Sequence, residues 1–198
     1  LVPFQGAAPD AMLKYICHAS GIDIEKDIDL VYAADAVQAS QMLLSGQYDY
    51  ALLSEPSATA AIAKGADSGL ELKRSLSMKA EWERASNGAS STPVAGTVVT
   101  GKIAENQEVV DVFLTEYGKA LDWMVNNPAE AGELGEKVLS EQGFKAQILT
   151  ASLQNIDWKF TRAKDASGDI AEYFLALSET STDFIGGRLP DEGFYYGK

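Results

Sequence analysis

The sequence is poor in the residue types from which redox, metal and nucleic-acid sites are built. It has one cysteine and one histidine among 198 residues, the adjacent Cys17 and His18. A single cysteine excludes an intramolecular disulfide, and zinc sites usually draw on several Cys and His residues. Basic residues are also scarce, with 16 Lys and Arg against 29 Asp and Glu. The resulting net charge of -13 disfavours nucleic acid as a partner, and disfavours an anionic membrane surface for the same reason.

Long hydrophobic runs are absent too, since none approaches the roughly 20 residues needed to span a membrane. Hydrophobic residues make up 46% of the chain and charged residues 23%, which is an ordinary globular composition. The length is sufficient for one or two domains with a hydrophobic core. The chain opens with Leu1-Val2-Pro3-Phe4, which is typical of the inside of a strand rather than of a signal peptide. We therefore expect the complete protein to have residues upstream.

The combinations of residues needed for catalysis are also missing. The chain has no Ser-His-Asp set and no metal-ligand cluster, and its Cys17-His18 pair lies at the end of one predicted helix. We therefore predict that the protein is not an enzyme and that it has no catalytic residues, no cofactor and no metal.

Short apolar segments alternate with amphipathic segments in the first part of the chain. Four strands are predicted around residues 1–4, 29–32, 48–53 and 70–76, and helices around 9–20, 36–45 and 56–65. Asp35 with Gln38 three residues later resembles a capping box at the start of the second helix. Alternating strands and helices imply a parallel sheet with right-handed crossovers, so the predicted fold class is α/β.

The second part of the chain is mainly helical. A polar, turn-rich stretch at 86–93 marks the boundary, so we predict a βα part at 1–90 and a strand followed by helices at 91–198. The strand is predicted at 94–100, and apolar stripes predict helices at about 104–126, from Pro128 onward, and at 145–153 and 169–181. We expect Trp123 and Trp158 to lie in the core, whereas Trp82 either packs in the core or stacks on a planar ligand.

Three βα loops should open on the same edge of the parallel sheet, where ligands bind in such folds. The first loop comprises Gln5, Gly6, Ala7 and Ala8. Its small side chains would let backbone N–H groups approach a ligand, although a plain turn is the alternative.

The second and third loops carry polar side chains with two possible roles. Asp35 either caps the second helix or contacts a ligand, and capping is favoured. Ser54 and Glu55 end the third predicted strand, so either could face a ligand or complement the start of the third helix. The loops carry Asp10, Asp35 and Glu55 but no Lys or Arg. Because these carboxylates would repel an oxoanion, we predict a nitrogen-bearing ligand, for instance an aminopyrimidine-like heterocycle.

Five segments carry a pattern that spans nearly the whole chain. They are 2–9 (VPFQGAAP), 46–56 (GQYDYALLSEP), 93–96 after Trp82 (PVAG), 123–131 (WMVNNPAEA) and 185–190 (IGGRLP). In this order and spacing they resemble the NMT1/THI5-like, SsuA/TauA/NrtA-related solute-binding proteins of bacterial ABC importers. Family members begin with a βαβ portion of lobe one, and this chain has none of it.

The resemblance implies a type II periplasmic-binding-protein-like fold with a mainly parallel sheet. In this interpretation residues 1–90 are one complete βα ligand-binding lobe, lobe two, and residues 91–198 are a hinge strand and the helical C-terminal part of lobe one. It implies capture of a small-molecule solute in an interlobe cleft and delivery to an ABC transporter permease. The family works outside the cytoplasm, in the periplasm or as a lipoprotein on the outer face of the membrane. Gly96 and Thr97, in the segment resembling the crossover, join the predicted ligand-binding residues. A dimer contact or a partner chain should cover the incomplete lobe.

Two other functions stay open. One is an enzyme of the same fold similar to hydroxymethylpyrimidine (HMP) synthase, which would need a nucleophile or a metal cluster. The other is the effector-binding domain of a LysR-type regulator, which would bring a helix-turn-helix upstream and complete both lobes within its own length.

Overall fold

The structure, a computed structural model, describes residues 1–86, 92–93 and 95–197. Two short strands, β1 (Val2–Pro3) and β2 (Tyr32–Ala33), alternate with the first helices, and the remainder is mainly helical. The helices are α1 (Ala8–Ala19), α2 (Ala36–Leu44), α3 (Ser57–Asp67), α4 (Met78–Ala85), α5 (Gly101–Glu105), α6 (Gln107–Asn126), α7 (Pro128–Val138), α8 (Ala146–Leu153) and α9 (Ala163–Ser178). Short 3-10 segments follow at Ser140–Gln142, Thr182–Ile185 and Glu192–Phe194.

β1 and β2 form a small two-stranded parallel sheet, and residues 50–52 bond to Leu1 on the other side of β1. β1 pairs in parallel with β2, with Val2 opposite Tyr32. On the other side of β1, the Leu1 amino group donates to the Tyr50 carbonyl oxygen at 2.9 Å, and the Leu52 N–H donates to the Leu1 carbonyl oxygen at 2.8 Å. In a parallel pair, one residue bonds to the two residues that flank the residue opposite it. Leu1 bonds in this way to Tyr50 and Leu52, which flank Ala51. A mixed α/β fold with a parallel sheet is therefore confirmed, although the sheet is smaller than predicted.

Several predicted strands are wrong. The third keeps only its hydrogen bonds to Leu1, residues 70–76 and 95–100 form no strand, and Val94 lies outside the described residues. Residues 70–72 instead lie against α3, where a methyl group added at Gly65 would come within 3.0 Å of the Leu70 carbonyl oxygen. An apolar segment becomes a strand only where another chain segment can pair with it, and sequence alone does not supply that partner.

Most predicted helices are confirmed to within a few residues. Three differ. α4 was not predicted, α5 is a separate short helix before the one predicted at 104–126, and α9 begins at Ala163 rather than near residue 169. None of the helices in the described part of the chain is both long and apolar enough to cross a membrane.

The main core joins α1, α4 and α9 around one tryptophan. Trp82 is 1% exposed, and its ring centroid lies 4.8 Å from that of Tyr15 and 5.0 Å from that of Tyr173. Of the two interpretations of Trp82, packing in the core is therefore the one observed. Trp123 and Trp158 are 44% and 36% exposed, so the prediction that they lie in the core is wrong. The core spans the boundary predicted at residue 90, and that division stays a prediction.

Candidate functional site

The loops that follow the three parallel segments meet at one edge of the sheet. The Phe4 N–H donates to the Ala33 carbonyl oxygen at 3.2 Å, which holds the ends of β1 and β2 side by side. Leu1 bonds to Tyr50 and Leu52 and so lies level with the residue between them. Phe4 follows Leu1 by three residues, and Ser54 follows Ala51, the residue level with Leu1, by three residues as well. Phe4 and Ser54 therefore lie at the same level of the sheet. This edge, formed by loops 4–8, 34–35 and 54–56, is the candidate site.

The first loop uses two of its backbone N–H groups within the protein. The Gly6 N–H donates to Asp10 Oδ2 at 2.8 Å, and the Ala7 N–H donates to the Phe4 carbonyl oxygen at 3.0 Å. Gln5, Gly6 and Ala8 are exposed at the edge, and Ala7 is half-buried. These residues lie where the sequence placed them, but the Gly6 and Ala7 N–H groups are not free donors.

Phe4 is a residue of this edge that sequence reasoning missed. Its φ of 59° is in the left-handed region, where residues other than glycine are uncommon and costly. Its side chain is nevertheless 50% exposed. The available signal was its position directly after β1, at the edge where parallel sheets bind ligands. An exposed aromatic ring held in this backbone conformation can offer a flat apolar surface to a small molecule.

Asp10 lies beneath the first loop and is fully buried, at 0% exposure. Its Oδ2 accepts from Lys14 Nζ at 2.9 Å, and its Oδ1 accepts from the Tyr32 hydroxyl at 3.0 Å. Burial lowers the pKa of Lys14, but its hydrogen bonds to Asp10 and Tyr32 and the charges of these groups outweigh that effect, so the pKa is raised. The lysine therefore stays charged and neutralises the buried carboxylate.

Asp35 caps α2, as the sequence predicted. Its Oδ1 accepts from the Gln38 N–H at 2.7 Å, and Gln38 Oε1 accepts in return from the Ala34 N–H at 2.6 Å. The reciprocal bond thus reaches the residue before the cap rather than the cap itself. Asp35 is also exposed at the edge, so capping does not remove it from contact with solvent.

Glu55 complements the start of α3 and pairs with a distant arginine. Its Oε2 accepts from the Thr59 N–H at 3.1 Å and from Thr59 Oγ1 at 2.6 Å, while Oε1 accepts from Arg74 Nε at 3.1 Å. The carboxylate is only 10% exposed, whereas the Arg74 side chain is 41% exposed. These contacts favour the helix-end interpretation of Glu55. Ser54 is exposed, and α3 has no side-chain N-cap, so Ser54 does not serve as one.

These ion pairs correct the sequence argument about ligand charge. Loop carboxylates repel an oxoanion only where no cation lies beside them, but Lys14 pairs with Asp10 and Arg74 pairs with Glu55. Of the three loop carboxylates, only Asp35 has no ion pair, and it is exposed. The repulsion expected for an oxoanion is therefore much reduced, and the loop charges no longer select a nitrogen-bearing ligand.

The remaining candidate residues stand apart from this network. Gly96 and Thr97 are exposed in the irregular segment 95–100, which the sequence had predicted as a strand. Cys17 is 3% exposed, and burial raises the pKa of its thiol, so it is poorly suited to act as a nucleophile. Within the described ranges, no group of three His, Cys, Asp or Glu side chains is placed to hold a metal ion.

A comparison with solved structures identifies the same fold in another protein. The chain is similar to a protein from Parabacteroides distasonis described as an ABC transporter, with a TM-score of 0.79 and 21% sequence identity. The match covers 100% of this chain and 66% of that protein, so the chain spans less than two thirds of its length. No protein-family model matches the chain, and no curated protein matches it significantly. At this identity the similarity establishes the fold alone.

Proposed function

We propose that this chain belongs to the substrate-binding component of an ABC importer, which captures a small molecule and delivers it to a membrane permease. The observation that carries the proposal is the meeting of three βα loops at the carboxyl edge of parallel segments, where such folds bind ligands. The similarity to a protein described as an ABC transporter supports it.

The proposed architecture is that of a type II binding protein of the NMT1/THI5-like family. The edge formed by loops 4–8, 34–35 and 54–56 would be one wall of an interlobe cleft, and the second wall would come from the other lobe. Function outside the cytoplasm follows from this role, as does binding without chemical turnover. A net charge of -13 further disfavours nucleic acid as a partner.

The exposed groups at the edge suit a small planar solute with polar substituents. Phe4 offers an aromatic face, Ser54 a hydroxyl group, and Asp35 a carboxylate with hydrogen-bonding capacity beyond its cap. An aminopyrimidine-like heterocycle meets this description, and the paired loop charges leave sulfonates and nitrate as competing classes.

The test is isothermal titration calorimetry of the full-length protein with an aminopyrimidine, taurine and nitrate. We expect one class to bind with a Kd of about 1 μM, which corresponds to roughly 8 kcal/mol. Phe4→Ala should weaken that binding by about two- to twelvefold, because an aromatic contact contributes about 0.5–1.5 kcal/mol. The matched control is Phe194→Ala, since Phe194 is 55% exposed, close to the 50% of Phe4, but lies in the C-terminal 3-10 segment.

Two results would contradict the proposal. One is the absence of binding for all three classes, and the other is chemical conversion of a bound solute. Equal loss of affinity in Phe4→Ala and Phe194→Ala would place the solute away from the sheet edge.

A further inference from the structure

The buried carboxylate of Asp10 is unusual for an acidic residue in the first turn of a helix. Such residues commonly lie on the surface, where they complement the helix dipole. Asp10 is instead 0% exposed, and it accepts hydrogen bonds from the Gly6 N–H, Lys14 Nζ and the Tyr32 hydroxyl. Burying a charge is costly unless it is paired and hydrogen-bonded, so this carboxylate requires all of these partners.

The loop above Asp10 has a backbone that needs external support. Phe4 and Gly6 both have positive φ, at 59° and 80°. Gly6 adopts this conformation freely, but Phe4 does so at a cost that the surrounding structure must offset. The Gly6 N–H bond to Asp10 fixes the loop two residues after Phe4, and the Ala7 N–H bond to the Phe4 carbonyl oxygen closes the turn.

The partners of Asp10 connect the loop to three other elements. Lys14 belongs to α1 and Tyr32 to β2. The Lys14 ammonium also lies 5.7 Å from the Tyr32 ring centroid and 5.8 Å from that of Phe184, in the 3-10 segment after α9. The loop conformation is thus tied through one carboxylate to the sheet, to a helix and to the C-terminal region.

We propose that Asp10 is the positioning residue of the ligand loop. Its carboxylate holds the Gly6 N–H and thereby fixes the loop in the form that keeps Phe4 exposed at the sheet edge. Asp10 itself does not touch the solute, because its side chain is buried and its oxygens are occupied. The inference rests on the proposed solute-binding function.

The first test measures amide hydrogen exchange by NMR in the full-length protein without solute. In Asp10→Asn, the Gly6 and Ala7 amides should exchange about tenfold faster relative to those of Tyr15 and Ile16, which report the stability of α1 itself. Tyr32→Phe removes one donor and keeps the charge, so it should produce a smaller change of the same kind. This milder variant keeps the test valid if Asp10→Asn fails to fold.

The matched control is Asp27→Asn. Asp27 Oδ2 accepts from the N–H of Asp23 at 2.9 Å, the same four-residue spacing as the bond from Gly6 to Asp10 at 2.8 Å, but at an exposed position. It should leave the Gly6 amide unchanged. Equal acceleration at Gly6, Tyr15 and Ile16 in both Asp10→Asn and Tyr32→Phe would mean that Asp10 only stabilises the fold, and would overturn the proposal.

The second test uses the member of the aminopyrimidine, taurine and nitrate panel that binds. Asp10→Asn should weaken its binding about tenfold, since the loop must then be ordered on binding, while Asp27→Asn should not change it. Unchanged affinity in Asp10→Asn would overturn the positioning role. If no member of the panel binds, the proposed function is contradicted. The exchange rates of the Gly6 and Ala7 amides relative to those of Tyr15 and Ile16 would still test whether Asp10 holds the loop.

Discussion

Helix α1 buries six of its twelve residues, whereas α6 buries only Val110 of its twenty. Both helices carry an apolar stripe at helical spacing. The stripe of α1 meets α4 and α9 around Trp82, but the stripe of α6 is largely open to solvent. Its exposed apolar residues are Val109, Val112, Phe113, Tyr117, Trp123 and Val125.

The difference between α1 and α6 shows what an amphipathic pattern predicts and what it does not. The period of the pattern predicts a helix and its apolar face. It does not tell whether anything covers that face. Exposed apolar surface costs about 25 cal/mol per Å² relative to burial, which is why we expect a second copy or a partner chain against α6. That expectation stays a prediction.

The largest effect should come from a tryptophan substitution in the core around α1, and a tryptophan substitution on α6 serves as its comparison. Trp82→Ala removes the centre of the α1–α4–α9 core and should lower the free energy of unfolding by about 3–5 kcal/mol. Trp123→Ala, at a 44% exposed position on α6, should cost less than about 1 kcal/mol as long as no second copy or partner chain covers that face. Urea denaturation monitored by circular dichroism measures both. A cost for Trp123→Ala as large as that for Trp82→Ala would show that the α6 face is covered in solution.

A pair of glycine substitutions tests whether the second part of the chain is loosely packed throughout. A Cβ at Gly132, on α7, would lie 2.7 Å from the carbonyl oxygen of Ala146, on α8, so Gly132→Ala should destabilise the protein by about 1–3 kcal/mol. Gly168 is a helical glycine on α9 with no atom within 4 Å of such a Cβ. Gly168→Ala should therefore stabilise by up to about 1 kcal/mol. Thermal unfolding measures both changes, and equal effects would refute close packing between α7 and α8.

The smallest effect concerns the cap of α2 at the sheet edge. Asp35→Ala removes the acceptor for the Gln38 N–H and should cost about 1 kcal/mol. Asp35→Asn keeps a capping oxygen and should be nearly neutral. Chemical denaturation of the two variants distinguishes them, and a large loss in Asp35→Asn would indicate that the charge, rather than the cap, stabilises this loop.

Local features of the site were predictable from sequence, and long-range ones were not. The Asp35 cap depends on residues three apart, so its signature is visible in the sequence. The pair of Asp10 and Lys14 has helical i,i+4 spacing and was detectable in the same way. Arg74 reaches Glu55 across 19 residues, from a segment predicted as a strand, and no local pattern indicates that contact.

The same limit applies to the core. Each of the three tryptophans is adjacent to a charged residue in the sequence, yet Trp82 is buried while Trp123 and Trp158 are partly exposed. Which tryptophan is buried depends on the packing of α9 against α1 and α4, elements far apart in the chain. The parallel sheet was predicted in type and direction, but its extent depends on pairing partners that periodicity does not identify.

The central claim is that the solute binds at the sheet edge formed by loops 4–8, 34–35 and 54–56. Hydrogen–deuterium exchange of the full-length protein, with and without the member of the panel that binds, tests it directly. We predict that solute protects the amides of these three loops more than those of α6 and α7. Protection confined to another surface, such as the open pocket of about 440 Å³ lined by Gln107, Asp111 and Arg162, would contradict the claim.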